Sequence, residues 1–503
     1  MTVLLAGARL PGRDELMDVV LDGGRIASVS PAGSAGGGDR AGERIPLDGR
    51  WLVPGLWDQH VHFTQWAQTA RRLDVSRAGS AAEAAALVRS RASSAGAAAA
   101  SAGAAAASAA DAADDVLVGF GFHDALWPDL PTRELLDAAA GDRPVVLIAG
   151  DLHCSWLNSA AAARFAPGTS DAVLREDASF AVTSLLTAAD DATLDRWAAD
   201  AARVAATRGV VGIVDLEYGW NLDVWRRRIA GGASGSSDLR VEFGIYGEHL
   251  ERAAELGLRT GHVVDDTAGL LTVGPFKVIS DGSLNTRTAL CTHAYPDGDH
   301  GVANLTPDEL VERMRFAVDH GLVPAVHAIG DEANRRALDA FQAVGSGGRI
   351  EHAQLIDVAD IPRFARLGVT ASVQPEHAMD DRDVADRLWS DRADRAFPLD
   401  ELHAAGAHLA FGSDAPVAPL DPWAAIASAV GRSRDGRDPW HPEQSLSPDA
   451  ALAASVRSIV APDHPADLAV LDRDPLTASP ADLRTMPVAA TFVAGRATHD
   501  TLR

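Results

Sequence analysis

Two histidines, His60 and His62, sit one residue apart behind the apolar run Leu52-Val53-Pro54-Gly55-Leu56. Side chains on a strand alternate faces, so both imidazoles point the same way and can reach one metal ion. An HxH pair alone is a weak signal and is more often just two polar strand residues. Three further segments change that reading. LVPAVHAIGDEA carries His327, RIEHAQ carries His352 and HLAFGSDAP carries Asp414, each at the end of an apolar run. Four imidazoles and a carboxylate suit zinc or a similar divalent ion. One isolated histidine of this kind is usually a hydrogen-bonded core or cap residue, but four in this order are hard to explain as structure.

Lys277, in GPFKVISDG, is the only lysine of the chain; of 45 basic residues the other 45 − 1 = 44 are arginine. A salt bridge, for example to Asp281, would tolerate arginine and often benefit from it. Only chemistry that needs a primary amine would hold out for lysine. Such an amine can form a Schiff base, or react with CO₂ to give a carbamate. The carbamate is an anionic bidentate oxygen ligand able to bridge two metals ~3.5–4 Å apart. Five metal-type ligands around one mouth favour the carbamate.

Eight apolar runs alternate with helix-like segments: GLWDQHVH, VVGIVDLE, LRVEFGIYG, GPFKVISDG, LVPAVHAIG, RIEHAQL, VTASVQPEH and HLAFGSDAP. Eight buried parallel strands with helical crossovers predict a TIM-like (β/α)₈ barrel of the α/β class, whose strand C-termini converge on one mouth. The stretch from Phe63 to about Arg208 is too long for one crossover, so an inserted α/β segment is expected at roughly 63–208. It holds two more strand-like runs, VLVGFGF and PVVLIAG, and an Ala/Ser-rich tract from Ala92 to Ala113 that reads as a surface helix or loop. Both chain ends read as short strands, with a hairpin signal at Asp22-Gly23-Gly24. The expected division is a small β-sandwich of residues 1–56 and 463–503, and a barrel of residues 57–462.

Hydrophobic residues make up 47% of the 503, which excludes a disordered chain. No apolar run reaches the ~18 residues of a membrane helix, and the N-terminus lacks a signal-peptide pattern. The reading is a soluble, cytoplasmic protein. A net charge of 45 − 70 = −25 disfavours nucleic acid and anionic membrane as partners. Two cysteines, Cys154 and Cys291, cannot make a disulfide framework and read as buried or loop thiols.

HxH, a strand-four lysine, histidines on strands five and six and an aspartate on strand eight resemble the pattern of the amidohydrolase superfamily. The likeness is closer to its amidohydrolase-3, YtcJ-like branch, which includes N-substituted formamide deformylase. It rests on VPGLWDQHVHF, LPTRELLDAAAGDRPVVLIAGDLHCSWLNSAA, KVISDGSLNTRTAL, VHAIGDEANRRALDA, RIEHAQ, SVQPEH, AFGSDAPV and ADLAVLDRDP, and so runs through nearly the whole chain. SVRSIVAPDHPADLAV departs from the pattern, lacking a longer Gly-containing turn before ADL. The resemblance implies a barrel plus a sandwich from both termini. It implies that His60 and His62 hold the more buried of two divalent ions, with zinc the first expectation. His327 and His352 hold the other, Lys277 bridges as a carbamate (N6-carboxylysine), and Asp414 completes the site. The implied activity is hydrolysis of a C–N bond in a small linear amide or N-substituted formamide. A hydroxide shared by the metals attacks, and Asp414 shuttles its proton to the leaving nitrogen.

Candidate substrate residues are His153 in the insertion, Arg287 after strand four, Gln374 and His377 after strand seven, and Trp66. His153 reads equally as a loop histidine, and Arg287, Gln374 and His377 also read as loop-holding residues; for Trp66, as for Trp57, Trp127 and Trp156, packing is the default. Rival readings are a cyclic-amide hydrolase or mononuclear deaminase, which does not need Lys277, and a metal-dependent isomerase or lyase. A non-catalytic binding protein would be expected to lack a ligand, and none is missing. A homodimer is the base-rate expectation.

Overall fold

The computed structural model describes residues 2–34, 42–69, 72–101, 116–186, 190–231, 238–296 and 298–502. Eight parallel strands form the central sheet: β1 Leu56–Val61, β2 Val210–Asp215, β3 Arg240–Tyr246, β4 Leu271–Ile279, β5 Pro324–Ala328, β6 Gly348–His352, β7 Val369–Val373 and β8 Leu409–Phe411. They pair in chain order. These are the eight runs expected from the sequence. β1, β2, β5 and β8 are buried throughout, because crossover helices cover one face of a barrel strand and side chains fill the other.

The barrel is nearly closed between its last and first strands. The Asp414 amide donates to the His60 carbonyl at 2.7 Å, and the His62 amide donates to the Ala415 carbonyl at 2.8 Å. Gly412 permits this approach, since a Cβ there would lie 2.6 Å from both the backbone nitrogen and the Cβ of His60. The crossover helices start and stop where the local chemistry dictates. Thr306 and Glu309 form a reciprocal cap before Pro307–Asp319, and Gly345 ends Asp331–Val344 in the left-handed conformation.

Two four-stranded sheets flank the barrel sheet in the same compact unit. One comprises Val3–Ala8, Met17–Asp22, Arg25–Pro31 and Glu43–Pro46; the other comprises Trp51–Pro54, Leu468–Leu471, Val488–Val493 and Arg496–Asp500. Leu5, Val19, Ile26 and Leu52 share one apolar core with Leu468 and Phe492, so both chain ends contribute to it.

The chain divides into two compact units. Trp66–Leu194 and Ser283–Thr288 form the second, and the remaining residues form the first. The second unit is built on a five-stranded sheet. Leu73–Asp74, Leu117–Phe122 and Val145–Ala149 run parallel, and Cys154–Leu157 and Val173–Arg175 add antiparallel strands. VLVGFGF and PVVLIAG supply two of these strands. Separate apolar clusters form around Phe122, Leu147 and Trp156 and around Val146, Ile148 and Leu157. The helix Ala81–Ser101 enters the Ala/Ser-rich tract, whose residues 102–113 lie outside the described residues.

The six-residue segment Ser283–Thr288 joins this unit through polar contacts that no apolar period announces. Asp151 Oδ2 accepts from Ser283 Oγ at 3.1 Å and Asn285 Nδ2 at 3.2 Å. Glu176 Oε1 accepts from Thr286 and Thr288 hydroxyls at 3.1 and 2.9 Å. Both cysteines are buried. Among the described residues no helix is long and apolar enough to cross a membrane.

Candidate metal centre

His60 and His62 leave β1 on one face, as alternation requires. His60 Nδ1 is 2.8 Å from Glu351 Oε2 on β6, which leaves its Nε2 turned inward, 3.3 Å from Asp414 Oδ1. His62 Nε2 lies 3.3 Å from the same oxygen. Two ligands bound at ~2.0–2.1 Å in tetrahedral geometry stand about 3.3 Å apart, so these separations match ligands converging on one ion. Among the described residues the buried His62 Nδ1 finds no hydrogen-bond partner.

A second donor group shares Asp414. One ligand atom each from His352, His377 and Asp414 lies within 4.8 Å of the others, as do those of His60, His62 and Asp414. His377 Nε2 is buried 4.0 Å from Asp414 Oδ2 and finds no hydrogen-bond partner among the described residues. Read from the sequence as a substrate residue or a loop-holding hydrogen bond, His377 here has a ring nitrogen within reach of the His352 and Asp414 ligand atoms. His327 lies against His352, with ring centroids 4.5 Å apart, but is not a member of either donor group. His352 and Asp414 reach the mouth through backbone with φ of +74° and +56°, a left-handed conformation that non-glycine residues rarely adopt. Such residues cluster at functional sites because the surrounding structure must hold them there.

The orienting partners escaped the sequence reading. Asp281 Oδ1 is 3.0 Å from His327 Nδ1, and the carboxylate also accepts the amides of Leu290, Ile329 and Gly330. It is therefore the partner of His327, in place of the salt bridge to Lys277 that its position had offered. Gln374 is 1% exposed, and its Oε1 meets His352 Nδ1 at 2.8 Å. Read from the sequence as a substrate residue or a hydrogen-bonding support, it turns its carbonyl to a histidine. Glu351 accepts from Arg349 Nε at 2.8 Å as well as facing His60. In each case the partner fixes Nδ1 and frees Nε2 for a metal, which sets the tautomer a ligand needs.

Burial and charge set the protonation states. Burial, with Lys277 nearby, lowers His60 to about 4, and burial with His327 nearby lowers His352 well below the usual imidazole range. Both are neutral at pH 7, the form that ligates. Burial opposes ionisation of Asp414, but His60 and His62 outweigh it and hold the carboxyl well below its usual range. Lys277 is 2% exposed at the mouth end of β4, and burial lowers its amine to about 8, with Glu351 and Asp414 opposing the shift. Neutral His60 and His352, His62 with its Nε2 against Asp414, and the unpartnered Nε2 of His377 surround one ionised carboxylate, a set that fits a divalent cation.

His153, Arg287 and Trp66 belong to the second unit. His153 Nδ1 is 2.8 Å from Glu176 Oε2, Arg287 is exposed with a φ of +60°, and Trp66 is partly buried in the helix Phe63–Thr69.

The amidohydrolase family profile matches residues 43–499. YtcJ of Bacillus subtilis (strain 168) is 29% identical over 502 residues, covering 91% of this chain and 90% of its own. N-substituted formamide deformylase of Arthrobacter pascens is 23% identical over 526 residues, covering 95% and 94%. The crystal structure of an uncharacterized metal-dependent hydrolase from Pyrococcus furiosus matches with a TM-score of 0.71 and 25% identity, over 95% of this chain and 100% of that one. With its barrel, its buried donors and a match that runs almost end to end, the chain belongs to the amidohydrolase family.

Proposed function

We propose that the protein hydrolyses the C–N bond of a small linear amide or N-substituted formamide, using two divalent ions, zinc first among them, and a carbamate on Lys277. The observation that carries this reading is the single lysine of the chain, buried beside Asp414 and Glu351 with its amine lowered to about 8. His60, His62 and Asp414 would hold one ion; His327, His352 and the carbamate would hold the other, with His377 a further donor. Bound there, a divalent ion supplies an acidified water and a Lewis acid for the carbonyl.

The chain's own residues do the rest. Glu351, Asp281 and Gln374 keep His60, His327 and His352 in the tautomer that offers Nε2. Asp414, ionised and facing the same space as His60 and His62 Nε2, takes the proton of the attacking water and delivers it to the leaving nitrogen. That delivery matters because an amide anion is a very poor leaving group. The deformylase relative supports the formamide option, and the two buried free cysteines fit a reducing cytoplasm.

A one-metal reading has its own support. The carboxylates of Glu351 and Asp414 favour a charged Lys277, which would make it a structural ammonium and the site mononuclear. Metal content per chain, with intact mass before and after acid, separates the two. Two ions and the loss of one CO₂ support the carbamate; one ion and no mass change overturn it. The bond class is tested by incubating metal-loaded protein with a panel of amides and N-substituted formamides and measuring amine release. No turnover on any member would overturn the C–N assignment.

A further inference from the structure

Two of the chain's three tyrosines meet beside His62. Tyr218, just past β2, lies over the His62 imidazole with ring centroids 5.6 Å apart and planes 18° from parallel. Tyr246, the last residue of β3, packs against Tyr218 at 4.8 Å. Tyr246 is buried and donates its hydroxyl to the Leu216 carbonyl at 2.7 Å, so it is a fixed support. The backbone of Tyr218 is also held, since its amide donates to Glu217 Oε1 at 3.1 Å, and Glu217 in turn accepts from the Gln65 side chain at 2.7 Å. Yet the residue keeps 48% of its surface exposed. An aromatic ring pinned by two others, next to a candidate metal ligand and still open to solvent, is preorganised to stack a further ring.

We propose that Tyr218 determines substrate specificity by stacking a flat, π-rich substituent of the amide. The inference rests on the proposed hydrolase activity, because the substrate carbonyl must approach His62 and Asp414 to bring its substituent to Tyr218. A ring that merely props His62 would act on every ligand alike, whereas a stacking ring discriminates between flat and small substituents.

The test is calorimetric binding of metal chelators to zinc-loaded protein, in two matched pairs. Benzohydroxamic and acetohydroxamic acid differ on the acyl side. N-phenyl- and N-methyl-N-hydroxyformamide differ on the nitrogen side. The phenyl member of at least one pair should bind more tightly, and Tyr218→Ala and Tyr218→Leu should each cut that advantage about 3- to 10-fold. Tyr218→Phe should keep the advantage, and the methyl members should be unaffected throughout. An advantage unchanged in the Ala and Leu variants, or equal weakening of both members of a pair, overturns the stacking role. If none of the four chelators binds the zinc-loaded wild type, the metal-hydrolase reading itself fails and the inference falls with it.

Discussion

Glu351→Gln is the perturbation that most directly probes how the centre is built. The carboxylate is fully buried at 0% exposure, and its oxygens divide between His60 Nδ1 and Arg349 Nε, each at 2.8 Å. Glutamine keeps the volume and an acceptor for His60 but removes the charge. Loss of a carboxylate behind a metal-binding histidine costs 10- to 100-fold in affinity, about 1.4–2.7 kcal/mol. Because the glutamine carbonyl can still accept a hydrogen bond from His60 Nδ1–H, about tenfold is expected, and Glu351→Leu should approach the upper figure.

The same change should lower stability. Breaking a buried ion pair costs ~3–5 kcal/mol, but Arg349 retains the Gln59 carbonyl at 2.6 Å and Ser372 Oγ at 2.8 Å. We therefore expect about 3 kcal/mol for the metal-free protein, the lower end of that range. The pH dependence has a definite sign. Burial opposes ionisation of Glu351, but Arg349 and His60 outweigh it and hold the carboxyl well below its usual range. A depressed carboxyl stabilises the fold above its unfolded value of ~4.3 and loses that contribution as pH falls toward its folded value. The gap between wild type and Glu351→Gln should be widest at neutral pH and close in acid. Chelator competition gives the metal affinity, and urea unfolding across pH gives the stability. Unchanged affinity with a pH-independent gap would refute the orienting role.

Lys277, lowered to about 8, is roughly one-tenth neutral at pH 7 and nine-tenths neutral at pH 9. With dissolved CO₂ held constant, CO₂-dependent reactivation of metal-stripped protein should speed up about tenfold over that interval and vanish in Lys277→Arg; a flat profile refutes carbamate formation. Asp414→Asn should lower turnover roughly 10³-fold, measured beside metal content. Near-normal turnover with metal retained would remove Asp414 as the proton carrier. Gly412→Ala places a Cβ 2.6 Å from the His60 backbone nitrogen and should cost about 1–3 kcal/mol or more. Unfolding midpoints check this, and an unchanged midpoint would mean that β8 can retreat from β1.

The eight strands were legible because a parallel barrel strand is buried on both faces and writes itself as a short apolar run. The candidate donors could be picked out because they fall at or near the ends of those runs. Their orienting partners could not, and RIEHAQ shows why. Alternation places Glu351 and His352 on opposite faces, so a reader picks one as functional. The structure uses both, with Glu351 facing His60 and His352 re-aimed by left-handed backbone at 352 and 353. Gln374 and His377 show the same limit, since both were placed near the mouth but their tasks depend on which atom lies nearest. Gln374 faces His352, and His377 joins His352 and Asp414. Ser283–Thr288 is the extreme case, held by Asp151 and Glu176 more than a hundred positions earlier. A hydrogen bond across such a separation leaves no period in the sequence. A ligand is recognisable by its type and its place at a strand end, whereas the group that fixes its tautomer is defined only by distance in the folded chain.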